Sequence, residues 1–158
     1  MIQTPEHSSF PSGHSTEAFA LATIVHRLMT GKSAAHGLKN SHIAFRMAHR
    51  IAVNRTVAGV HFPVDSAAGS KLGCVLGEAG IALCSDGDKA APYRAVFNVP
   101  KKDKGSQVFS SGQDFTLDWL RGDKMLEVAR KKIQPDPVLR KTWDTVSSGY
   151  PGGGKAAQ

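Results

Sequence analysis

The stretch Pro63 to Leu83, PVDSAAGSKLGCVLGEAGIAL, sets glycines at 69, 73 and 77 inside a run that is otherwise small or apolar. It opens on a proline, a favoured first-turn residue, and reads as one long helix. Glycines four residues apart share one face of a helix, and a face without side chains lets a second helix come unusually close. The spacing therefore predicts tight packing inside a helical bundle. Two other segments supply partners. Thr16 to Met29 (TEAFALATIVHRLM) is apolar almost all round, with a hydroxyl or acid at its start and Gly31 just past its end, which predicts a buried helix. Ser41 to Asn54 (SHIAFRMAHRIAVN) puts Phe45, Ala48 and Ala52 on one stripe and Arg46 and Arg50 on another, the pattern of an amphipathic helix. The fold class predicted is all-α.

Past Cys84 the composition loosens. SDGDKAAP and PKKDKGSQ read as loops, YRAVFNV as a short strand, Leu117 to Ile133 and Val138 to Ser147 as surface helices, with Gly122 weakening the first, and GYPGGGKAAQ as a flexible tail. The chain of 158 residues suits one domain. It divides into a helical core at 1–84, a less regular helical and loop extension at 85–148 and a tail at 149–158. The charge balance, 20 Lys plus Arg against 13 Asp plus Glu, is +7, and the excess sits mostly between Lys89 and Lys141. Asp114, Asp118, Asp123 and Glu127 are mixed into that segment without any nucleic-acid motif, so it reads as a solvated face and no nucleic-acid partner is expected. Cys74 and Cys84 lie on one predicted helix at a separation of roughly 15 Å, beyond disulfide reach, and are expected to be buried free thiols. No stretch reaches the roughly 18 to 20 uninterrupted apolar residues of a membrane span. The closest, Leu72 to Cys84, contains Glu78, so the chain as given is expected to be soluble. Pro5, Glu6 and His7 stand where a signal peptide would need an apolar segment; the compartment is left unassigned.

The chemistry concentrates in two places. SSFPSGHST, residues 8–16, leads a loop into a buried helix, and the first amides of such a helix point outward without partners and attract anions. Gly13 lets an anion approach the backbone, Ser12 offers a hydroxyl, and His14 can donate a proton to an oxygen of the bound group. Taken alone, Ser-Gly-His is also what an ordinary capped turn looks like. The second place is Asn54 to Asp65, NRTVAGVHFPVD, in which His61 follows Arg55 and Asp65 follows His61 by four. Arg55 supplies a permanent forked cation for an oxyanion. A carboxylate four residues past a histidine can hold one ring nitrogen and aim the other, which could attack phosphorus or ligate a metal-oxo centre. The remaining histidines, His7, His26, His36, His42 and His49, lack metal-site spacing such as HExxH and read as surface or packing residues.

PSGH at 11–14 and R-x5-H-x3-D at 55–65 together resemble the superfamily that unites type 2 phosphatidic acid phosphatases, bacterial class A acid phosphatases and vanadium-dependent haloperoxidases. The resemblance covers about residues 8–84. It implies an all-α bundle of the acid phosphatase and vanadium haloperoxidase type. It also implies that Arg55 binds phosphate or vanadate oxygens with help from Ser12 and Gly13. His61 would be the phosphatase nucleophile or the vanadium ligand, His14 the general acid, and Asp65 the residue that orients His61. Asn54 stands where the family commonly has Ser, a small polar change. The family's first motif, a Lys followed after six residues by Arg-Pro, lies upstream of PSGH and contributes two more cations; no Arg-Pro occurs in this chain.

Three functions follow from the resemblance. The first is hydrolysis of a phosphate ester through a histidine nucleophile, with no cofactor. The second is oxidation of a halide by peroxide with vanadate held on His61. The third is a non-catalytic fragment or basic binding module that keeps the fold without the first motif. Phosphoester hydrolysis is preferred because it needs nothing beyond the residues named. The full-length protein is expected to be an enzyme. This chain alone is expected to have little activity and to associate with itself or with a segment carrying the first motif, because the apolar faces of its first two helices would lack part of their cover.

Overall fold

In the computed structural model the described residues are 9–85, 93–95, 115–122, 126–128 and 133–152. The loop readings at 86–92 and 100–107 and the tail from 153 onward lie outside them. Among the described residues there are six helices: α1 (Gly13–Thr30), α2 (Ala34–Lys39), α3 (Ile43–Val57), α4 (Pro63–Cys84), α5 (Leu117–Gly122) and α6 (Pro137–Ser147). An antiparallel pair joins β1 (Tyr93–Ala95) to β2 (Leu126–Val128), in the register Tyr93 to Val128, Arg94 to Glu127 and Ala95 to Leu126. The all-α class holds, with this small pair appended.

The glycine stripe is the seam of the bundle. A Cβ on Gly69 would lie 2.6 Å from the Ser12 carbonyl oxygen and 2.8 Å from Ser15 Cβ. One on Gly73 would meet Thr16, Phe19 and Ala20, and one on Gly77 would lie 2.7 Å from Thr23 Cβ. Ascending α4 by four residues thus ascends α1 by about one turn, so α1 and α4 run parallel with their N-termini together. The cap residues are those the sequence offers: Ser12 Oγ accepts from Ser15 N–H at 3.3 Å to start α1, and Asp136 Oδ1 accepts from Val138 and Leu139 N–H to start α6. Because Ser12 is the cap, α1 begins three residues before the predicted Thr16, and Gly13 and His14 form its first turn.

Phe19, Phe45 and Phe115 meet at ring-centroid distances of 6.3 and 6.2 Å around Phe19, and with Ala22, Ala48, Ala52, Cys74 and Leu120 they form the main core. Phe115 and Leu120 belong to the C-terminal extension, which therefore packs on the same core. A second cluster joins Ile81 and Ala82 of α4 to Trp143 of α6. Glu78 is fully buried; its carboxylate accepts from Arg27 Nη2 at 2.8 Å and from the Ala34 N–H, tying α4, α1 and α2 together.

Several expectations need correction. α1 is not buried all round: Leu21, Val25 and Met29 are 63 %, 46 % and 45 % exposed. Ile43, Met47 and Ile51 of α3 are also exposed. The helix expected over Leu117 to Ile133 stops at Gly122, where glycine weakens it, and Leu126 to Val128 pair with Tyr93 to Ala95 instead. Residues 149–152, expected to begin the tail, are held in place, with Gly152 N–H donating to Leu28 O at 2.8 Å. Cys84 is only half-buried, whereas Cys74 is fully buried; both are free thiols. Burial drives the Cys74 thiol up to about 12. α4 also has the length and hydropathy of a membrane-spanning helix, with 61 % of that stretch buried against its neighbours. Its mean hydropathy stays high despite Lys71 and Glu78, because a mean over the stretch tolerates charges that an uninterrupted apolar run does not.

Candidate functional site

The parallel seam brings the two sequence motifs to one end of the bundle. Ser12, fully buried at the cap of α1, donates its N–H to the Asp65 carbonyl at 3.0 Å. Three residues further along α1, the Ser15 hydroxyl donates to the carbonyl of Ser66, next to Asp65, at 2.8 Å. Ser66 in turn donates its hydroxyl to Ala52 O at 3.4 Å, so α4 is tied to α3 one turn before Arg55. The start of α1, the start of α4 and the end of α3 are therefore pinned to one another by backbone carbonyls and small hydroxyls.

Each candidate residue has a defined place on this frame. Gly13 is exposed, with nothing within 4 Å of the position a Cβ would take, so the first turn of α1 presents open backbone. His14 follows it on the surface. Arg55 sits in the last turn of α3, where a cation also suits the negative end of the helix dipole. That helix-end effect alone would explain an arginine there, but it does not explain why Arg55 Nε is buried without a hydrogen-bond partner. The chain then turns through Gly59, whose φ of 72° is left-handed, and Val60 N–H returns to Arg55 O at 3.1 Å. That turn delivers His61 to the residue before the α4 cap.

His61 is 9 % exposed and Asp65 3 %. Asp65 occupies the first turn of α4, where its Oδ2 accepts from Phe62 N–H at 2.9 Å, a carboxylate at a helix start as the dipole favours. The same oxygen lies 3.5 Å from His61 Nδ1. Beyond about 3.2 Å an N–H···O contact is weak, and Nδ1 is a buried nitrogen without a hydrogen-bond partner. Arg55 Nε thus lacks a partner near the pinned helix ends, and an unpaired buried donor calls for an acceptor, while His61 Nδ1 has the long contact to Asp65. Among the described residues no group of three or more His, Cys, Asp or Glu side chains could hold a metal ion.

Sequence reasoning missed Ser15 and Ser66. Their signal was present: Ser66 extends the 69, 73, 77 stripe by one turn, and a serine in a stripe of small residues is close enough to a neighbouring backbone to bond with it. No curated protein and no solved structure matches the chain. The pattern that describes the PAP2 superfamily matches residues 2–85, just over half of the 158 residues and the whole of the pinned α1, α3 and α4 frame, and the chain belongs to the PAP2 superfamily.

Proposed function

We propose that this frame is the oxyanion end of a phosphoester hydrolase that works through a phosphohistidine at His61. The observation that carries the reading is the 3.0 Å bond from Ser12 N–H to the Asp65 carbonyl, because it docks the PSGH turn directly onto the start of α4, which carries Asp65 and follows close on His61. Membership of the superfamily supports phosphatase-like chemistry in general; the assignment of roles rests on the residues themselves.

In this reading the phosphoryl oxygens sit against the open first turn of α1 at Gly13 and His14 and against the Arg55 guanidinium, which offers a fixed positive fork. His61 Nδ1 faces Asp65, so Nε2 is the nitrogen left to attack. Its lone pair forms the N–P bond while the bond from phosphorus to the alcohol oxygen breaks. His14, exposed on the substrate side, gives its proton to the departing oxygen. Asp65 compensates the positive charge that His61 acquires. In the second half, neutral His14 takes a proton from water, the hydroxide oxygen bonds to phosphorus, and the N–P bond breaks to release phosphate and restore His61.

The test is to mix the protein with radiolabelled p-nitrophenyl phosphate, quench within the first turnovers, and look for a label that is lost in acid and retained in alkali. The expected result is label on His61, absent in His61→Ala and present in His14→Ala, since p-nitrophenolate leaves without a proton. No acid-labile label above the His61→Ala background would overturn the assignment.

A further inference from the structure

At the opposite end of the bundle from the pinned motifs, three histidines from three elements pack together. His26 belongs to the last turns of α1 and is 1 % exposed. His36 of α2 lies nearly parallel to it at a ring-centroid distance of 5.7 Å, and His42, the cap of α3, meets it edge-on at 4.4 Å. Phe45 closes a further side, its ring edge-on at 5.6 Å. The three imidazoles do not form a group able to hold a metal ion. Their arrangement needs another account.

Two features tie this cluster to protons. The first is the cap of α3. Helix caps are ordinarily carboxylate, hydroxyl or amide oxygens, which keep their lone pairs near neutral pH. Here the acceptor is His42 Nδ1, which takes the Ala44 N–H at 3.3 Å, a lone pair that exists only while that ring nitrogen carries no proton. Once protonated, Nδ1 would point a hydrogen at a hydrogen, and α3 would lose its cap. The second feature is His26. Its Nε2 has Thr30 Oγ1 at 3.4 Å, while Nδ1 is buried with no hydrogen-bond partner. A neutral ring tolerates that; a charged one requires water.

The groups facing His26 offer a proton no compensation. They are His42 at the α3 cap, His36 of α2 and Arg27 of its own helix, all of one sign when charged. Glu78 of α4 is already taken up by Arg27 and the Ala34 amide. Burial first, then His42, His36 and Arg27, hold the His26 ring down at about 4. Water is kept out by α2: a Cβ on Gly37 would run into the Phe45 ring and lie 2.8 Å from His26 Cδ2, so the α2 backbone rests on both rings. Hydrating His26 therefore requires α2 to lift.

We propose that the corner formed by α2 and the first turn of α3 is a proton-operated hinge: mild acid puts a proton on His26, drives α2 away from it and loosens the first turn of α3 beside it, while the motif end of the bundle stays in place. This reading is independent of the phosphatase assignment. An imidazole that titrates near 6.5 when hydrated and near 4 in place favours the opened form about thirtyfold more at pH 5 than at pH 7.5.

The experiment is amide hydrogen exchange of the 158-residue chain at pH 7.5 and 5.0, corrected for the intrinsic pH dependence of exchange. Peptides covering 34–48 should open about thirtyfold more readily at pH 5.0, and peptides covering 13–20 should not change. His42→Asn, which keeps a cap on α3 but removes an imidazole from beside His26, should remove part of the response. His26→Phe, which keeps a flat ring in the same space, should remove most of it. Should His26→Phe not fold, the imidazole proton resonances of the natural chain give the same answer, with His26 titrating well below the ordinary imidazole range. Equal exchange at the two pH values, an acid response spread evenly over all helices, or a response undiminished in His42→Asn and in His26→Phe would each overturn the proposal, as would a His26 resonance that titrates in the ordinary imidazole range.

Discussion

Replacing Gly69 by alanine should separate what holds the bundle together from what forms the site. The added methyl would lie 2.6 Å from the Ser12 carbonyl oxygen and 2.8 Å from Ser15 Cβ, where ordinary contacts begin near 3.4 Å. Both neighbours are fixed to the α1 backbone, so no flexible side chain can yield, and α1 must move by a good fraction of an ångström. Overpacking of this kind costs about 1–3 kcal/mol, offset by about 1 kcal/mol because alanine is the better helix former. The net loss should be about 0–2 kcal/mol. Gly80 of the same helix provides the control, since nothing lies within 4 Å of its would-be Cβ, and Gly80→Ala should stabilise by about 0.5–1 kcal/mol. In guanidinium denaturation the two midpoints should differ by roughly 0.2–1 M. The displacement falls on Ser12, whose N–H is the link to Asp65. Phosphate affinity should therefore drop about tenfold in Gly69→Ala, or about 1.4 kcal/mol, and stay unchanged in Gly80→Ala. If Gly69→Ala is as stable as Gly80→Ala and binds phosphate as the natural chain does, the parallel seam is not what positions the site.

Two further outcomes follow from buried groups. Glu78→Ala should lower stability by about 3–5 kcal/mol, read as a fall in thermal midpoint, because it removes the carboxylate paired with Arg27 Nη2 and leaves the Ala34 amide without its acceptor; Glu78→Gln should cost less because it keeps an acceptor. His26 titrates near 4 in the folded chain and near 6.5 when unfolded, so the unfolded state binds the extra proton and stability falls as pH drops through that interval. Denaturant titrations should show about 2 kcal/mol less stability from this group at pH 5 than at pH 7.5, and His26→Phe should flatten that part of the profile.

The bundle was legible because its signals are local. The four-residue glycine spacing, Pro63 at a helix start and the Phe45, Ala48, Ala52 stripe each state a helix and its buried face without reference to anything distant. The site motifs were legible for a related reason: R-x5-H-x3-D spans one turn between two helices, so its geometry is set within a dozen residues. What the sequence did not disclose depends on partners far along the chain. Glu78 read as an interruption of an apolar run, yet its partners are Arg27 and Ala34, 51 and 44 residues away. The end of α5 was hidden because β2 finds its partner at Tyr93 to Ala95, and a three-residue strand carries too little periodicity to announce itself. Which apolar residues of α1 stay exposed, Leu21, Val25 and Met29, was hidden for the opposite reason, although part of that face was expected to lack cover: an apolar residue states what it would gain by burial, not whether anything arrives to bury it.

The central claim is that the start of α1, Arg55 and His61 together hold a tetrahedral oxyanion, and calorimetric titration with orthovanadate, a phosphate-shaped probe, measures this most directly. The account predicts one site per chain, weakened at least about tenfold in Arg55→Ala and in His61→Ala, and little affected in His36→Ala at the far end of the bundle. A binding isotherm that is absent in the natural chain, or that is the same in Arg55→Ala, His61→Ala and the natural chain, would contradict it.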